Sequence, residues 1–127
     1  YLEKHGYPKN INDLNKHSFI SYGRGAPSPV FNPDWALKLG MKDGKKRKIV
    51  MKVNSVYGLL LAVQSGVGLA ALPDYMTVNI PNIVKVLPKI GGPITEAHFV
   101  YPQSLKNVAR VQAFRNFLYS KISEWKF

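Results

Sequence analysis

Seven carboxylates (Glu3, Asp13, Asp34, Asp43, Asp74, Glu96 and Glu124) and three histidines (His5, His17 and His98) are the side chains here that could move protons or hold a metal ion. No two acids stand in a pair suited to general acid–base work. Asp13 and Asp74 have structural places open to them at helix starts, and Asp43 has one in a turn. The histidines are far apart and lack the i, i+4 spacing of a helical metal site. The chain has no cysteine, which removes thiolate catalysis, disulfides and Cys-based zinc sites. Neither a G-x-S-x-G elbow nor a P-loop is present, and Gly66-Val67-Gly68 lacks both the third glycine of a dinucleotide fingerprint and the helix that should follow it. The expectation is no catalytic residue, no metal, no cofactor and no enzyme.

Binding at strand ends is the chemistry that remains. In open α/β sheets, ligands lie beyond the carboxyl ends of strands, where loops and helix N-termini present backbone N–H groups. Two places fit: the exit of a strand over Phe19–Tyr22 into Gly23-Arg24-Gly25, and Asn54-Ser55 at the head of a helix. Both could converge on an anion. The structural alternative is that Ser55 only caps its helix and Arg24 is solvated. A basic cluster, Lys42, Lys45, Lys46, Arg47 and Lys48, also has two readings: a solvated tip that blunts an edge strand, or a patch that contacts phosphate.

These residues need elements to hold them. Ile49 to Val53 is an apolar β-type run, after which Asn54 or Ser55 caps a helix whose Val56, Leu59, Leu60 and Val63 share one face. Gly66 and Gly68 stop that helix, and Leu69 to Leu72 reads as a short buried strand closed by Pro73-Asp74, giving a βαβ unit. Upstream, Asn10 caps a short helix that ends at His17-Ser18. Gly23 to Pro29 must be a loop. Asp43-Gly44 between Trp35–Leu39 and Ile49–Val53 is a hairpin signal. Downstream, Tyr75-Met76 is a helical turn, and Ile83–Leu87 and Thr95–Tyr101 are expected strands. The last helix, with Asn107 as its expected N-cap, carries Val108, Val111, Phe114, Phe117, Leu118, Ile122 and Trp125 at three- and four-residue steps, a stripe that needs a sheet to cover.

At 127 residues, with 46% hydrophobic content, one core is expected. No apolar run approaches the roughly 20 residues of a membrane helix. The absence of cysteine fits a reducing compartment, the cytoplasm by default, and the polar start at Tyr1 without Met suggests an excised piece. The formal net charge of +11 invites a nucleic-acid reading, but no groove-reading motif accompanies it.

The order of short motifs resembles the LysR-type transcriptional regulators. It runs through Gly6-Tyr7-Pro8, Asp13-Leu14, His17 with Ile20 and Tyr22, Trp35, Val53-Asn54-Ser55, Ser65 through Tyr75, Val84 through Pro88, and Val111 through Leu118. The resemblance implies an α/β fold similar to one lobe of a type II periplasmic binding protein, with a mixed central sheet and flanking helices, incomplete relative to the full two-lobe domain. It implies a second lobe over 1–101 and a C-terminal amphipathic helix over 102–127 that returns to the first lobe. The winged helix-turn-helix and most of the first lobe are then expected to be missing. Effector contacts would fall on Ser21, Tyr22, Gly23, Arg24, Asn54 and Ser55. The implied partners are a small-molecule effector, an anion among the candidates, and DNA through the parent's N-terminal domain. A second copy is also expected, with exchange of the C-terminal helix as one route, and no membrane. A basic nucleic-acid-binding module, or a fragment of a solute-binding protein, is the alternative.

Overall fold

The computed structural model describes residues 1–23, 33–42, 45 and 47–125. The chain divides into two compact units, Tyr1–Thr95 and Glu96–Phe127.

The first unit is built around a parallel pair of strands, β1 (Ser18–Tyr22) and β2 (Lys48–Val53). Phe19, Ile20, Ser21 and Tyr22 are all buried. A run buried on both faces is what a parallel strand requires. After β2, Ser55 takes an extended conformation and its hydroxyl accepts the Gly58 N–H, capping a helix over Val56–Gln64. That helix lays Leu59, which is 2% exposed, and Ala62 onto Ile20 and Tyr22, with Val53, Val56, Val63, Val67, Ala70 and Leu72 packed around them.

Gly66, at φ +72°, turns the chain out of the helix, and Gly68 then passes so close to β1 that an added Cβ would stand 2.6 Å from the Ser18 carbonyl oxygen. This approach lets Leu69 donate to Ser18 O and accept from Ile20 N, at 2.9 and 2.8 Å, on the side of β1 away from β2. At the N-terminus, α1 (Leu2–His5) is followed by a 3-10 helix over Ile11–Lys16, with Asn10 accepting from the N–H groups of Asn12 and Asp13. A single helical turn, α2 (Trp35–Lys38), precedes β2, so the helix after β2 is α3.

Several expectations need correction. The described sheet is two parallel strands, not a mixed sheet. Trp35–Lys38 is helical, so it supplies no strand to a hairpin; Asp43-Gly44 itself lies outside the described residues. Arg47 explains the difference, because its guanidinium takes the Ala36 and Leu39 carbonyls at 2.6 Å each and holds α2 against the start of β2.

Only Leu69 of the run Leu69–Leu72 pairs with β1. Ile83–Leu87 forms no strand. Asn79, Asn82 and Leu87 all adopt positive φ, so the chain turns at both ends of the run, and no strand among the described residues offers it a ladder. Thr95–Tyr101 is likewise unpaired and lies across the boundary between the units.

In the second unit, a 3-10 turn over Gln103–Leu105 leads into α4 (Ala109–Ser123). Val108, not Asn107, occupies the N-cap, and no side chain caps it. The Leu105 carbonyl accepts from the Val108 N–H at 3.1 Å, so the preceding turn runs into the helix. Phe99 meets Phe114 edge to face at 5.8 Å and lies 5.5 Å from Tyr101.

Candidate functional site

The parallel register sets Tyr22 opposite Val53, so both strands run out at the same end of the sheet. Beyond that end the chain closes on itself. Gly23 N–H donates to the Val53 carbonyl, and the Tyr22 hydroxyl donates to the Asn54 carbonyl at 3.0 Å. The approach is tight, since a Cβ on Gly23 would lie 3.3 Å from the Val53 oxygen. Only two residues, Asn54 and Ser55, separate β2 from α3, so the N-terminal turn of α3 stands at this same end.

Ser21, Tyr22, Gly23, Asn54 and Ser55 are therefore brought together by β1, β2 and α3. Ser21 and Tyr22 are buried, Gly23 is half-buried, and Asn54 and Ser55 are exposed. Arg24 lies outside the described residues.

One residue at this place carries no signal in the sequence. Asp34 directs its carboxylate back onto the end of β1: Oδ2 accepts from the Ser21 hydroxyl at 2.8 Å and Oδ1 from the Tyr22 N–H at 2.9 Å. An aspartate just before a helical turn is expected to cap it. Asp34 does occupy the N-cap of α2, yet its side chain makes no capping bond there. The twelve-position separation of Tyr22 and Asp34 hides the pairing from any local pattern, and only the folded path of the chain closes it.

The opposite end of the sheet holds a different arrangement. Arg47, 5% exposed, donates to Ala36 O and Leu39 O, reaches Ile11 O at 3.5 Å, and lies 5.5 Å over the Phe19 ring. Burial lowers the pKa of its guanidinium from the ordinary value. A hollow of about 290 Å³ nearby is lined by Asn15, Met41, Lys45 and Arg47. The basic cluster thus loses Arg47 to the interior, while Lys42, Lys45 and Lys48 stay exposed and Lys46 lies outside the described residues.

The histidines do not form a centre. His5 stacks on Tyr1 at 4.3 Å, His17 is buried, and His98 lies 3.6 Å from Glu96 on the surface. Among the described residues no three His, Asp or Glu side chains gather as a metal site would require. Among the described residues, no helix is long and apolar enough to cross a membrane.

A family model described as the LysR substrate binding domain matches residues 1–122. An "Uncharacterized HTH-type transcriptional regulator" of Haemophilus influenzae is 30% identical over 107 residues, which cover 80% of this chain and 35% of that protein. The chain thus spans about a third of that relative's length. No solved structure matches. Domains of this family are non-catalytic regulatory modules, and by the family match over nearly its whole length this chain belongs to the LysR substrate-binding domain family.

Proposed function

We propose that this chain senses a small-molecule effector for a LysR-type DNA-binding transcriptional regulator. In this reading 1–101 is the second lobe of the effector-binding domain, and 102–127 is the segment that returns to the first lobe. DNA is contacted by a separate helix-turn-helix domain of the parent protein, which works in the cytoplasm as an oligomer. The single observation that supports the site is the meeting of Ser21, Tyr22 and Gly23 with Asn54 and Ser55 beyond the carboxyl ends of two parallel strands, the place where open α/β sheets take ligands. Arg24, next in sequence, extends the same site.

The test is a thermal-shift screen of small metabolites against the purified chain, since a ligand that binds only the folded state raises its apparent stability. Hits are then mapped by amide chemical shifts. A stabilising compound is expected to shift the amides of Ser21–Gly23 and Asn54–Ser55, and Asn54→Ala is expected to weaken it without unfolding the chain. Hits that map only to other surfaces would overturn the assignment.

A further inference from the structure

The lysines around the start of β2 belong to the end of the sheet opposite the strand exit, because the register sets Lys48 beside Ser18. Between Lys38 and Lys48 the sequence holds six cationic residues and one acid, Asp43. Even with Asp43 set against one of the lysines and Arg47 turned inward, four positive charges remain. Lys38, Lys42, Lys45 and Lys48 are exposed, and among the described residues none of them forms an ion pair. Two acids upstream are committed elsewhere: Asp13 accepts from Lys9 N–H and Lys16 Nζ, and Asp34 accepts from Ser21 and Tyr22.

The backbone that carries these lysines is tied to the fold. The Arg47 guanidinium takes the Ala36 and Leu39 carbonyls, Met41 N–H donates to Lys38 O at 3.0 Å, and Lys45 N–H donates to Lys42 O at 3.2 Å. The hollow of about 290 Å³ bordered by Asn15, Met41, Lys45 and Arg47 brings the 3-10 helix over Ile11–Lys16 alongside. Like charges gathered on one face attract an anionic partner and are relieved by it. Lysine, a compact point charge, suits phosphate, and contacts of this kind seat a protein on a duplex without reading its sequence.

We propose that Lys38, Lys42, Lys45 and Lys48 lie against the phosphate backbone of duplex DNA. This is a second binding surface, separate from the strand-exit site. The choice of DNA over another polyanion rests on the regulator reading above: the parent's own DNA-binding domain keeps a duplex close by, so a few weak contacts act at a high effective concentration.

The test titrates the chain into a short fluorescein-labelled duplex of arbitrary sequence and follows anisotropy at rising potassium chloride. Four neutralised phosphates give a plot of log affinity against log salt with a slope of about −3.6. Combining Lys42→Gln, Lys45→Gln and Lys48→Gln should bring the slope to about −0.9 and weaken binding at low salt by about tenfold or more. Combining Lys4→Gln, Lys89→Gln and Lys106→Gln removes the same charge from exposed positions outside the patch and should leave binding as in the unsubstituted chain. The amides of Lys42, Lys45 and Lys48 should shift with the duplex while those of Ser21–Gly23 and Asn54–Ser55 stay in place, so this surface and the effector site fail separately. Equal losses in the two triple variants would overturn the proposal, since net charge alone would then carry the binding. Absence of binding at the lowest salt would overturn it too, as would patch-dependent binding to polyglutamate or to phosphatidylserine vesicles without binding to the duplex.

Discussion

At the scale of single residues, three side chains take roles that their neighbours in sequence do not announce. Asp34 gives up a capping bond to hold the end of β1. Arg47 stands within a run of lysines, yet its donors go to the backbone carbonyls of α2 and of Ile11. Replacing it with Met keeps much of the volume but leaves those half-buried carbonyls without its hydrogen bonds, so Arg47→Met should cost about 2 kcal/mol, read as a lowered midpoint in urea unfolding. His17 is the third. Its imidazole is buried, and desolvation, with a smaller contribution from His5, lowers its pKa below the ordinary 6.5. The unfolded chain protonates this histidine as pH falls through about 6.5, whereas the folded chain resists until a lower pH. Stability should therefore decline from pH 7 toward pH 5, and His17→Leu should remove that part of the decline. Parallel urea titrations of the two proteins at each pH would check this, and equal slopes would refute it.

At the scale of elements, local signals succeed where the element supplies its own hydrogen bonds. Asn10 and Ser55 cap as their types and positions predict, and Gly66 stops α3. Gly68 serves another purpose, because its missing side chain lets Leu69 reach β1. Gly68→Ala should destabilise the fold by about 2 kcal/mol through the clash with the Ser18 carbonyl. Gly91→Ala, where a Cβ meets nothing within 4 Å, should be neutral, and thermal melts of the two variants beside the parent chain check both. Strands fare differently from helices, since a strand exists only if another strand comes beside it. Ile83–Leu87 has the composition of a strand and no partner, so it stays irregular.

At the scale of the whole molecule, the first unit carries a small core centred on Ile20, Tyr22, Leu59 and Ala62, and β2 leaves Ile49, Val50 and Met51 substantially exposed. In the second unit, α4 has no buried residue, and Phe114, Phe117, Tyr119 and Ile122 are each about half exposed or more. The stripe read from the sequence over Val108 to Trp125 is therefore present as a helical pattern but not as a buried one. The net charge of +11 gives no direct measure of a phosphate-binding face either, because part of that charge, at Arg47, is folded inward.

The sequence by itself determined the caps at Asn10 and Ser55, the stop of α3 at Gly66, the strand Phe19–Tyr22, and the family resemblance borne out by the match over residues 1–122. All of these depend on residues close together in the chain, or on the order of short motifs along it. It also named five residues that the fold does gather at one end of the sheet. Only the tertiary structure decided that β2 runs parallel to β1, that Trp35–Lys38 is helical, that Arg47 is buried, and that Asp34 closes on Ser21 and Tyr22. The pairing of β2 with β1, the burial of Arg47 and the closure of Asp34 are contacts between residues eight or more positions apart, and local propensity carries no information about which distant group will supply the other half of a hydrogen bond.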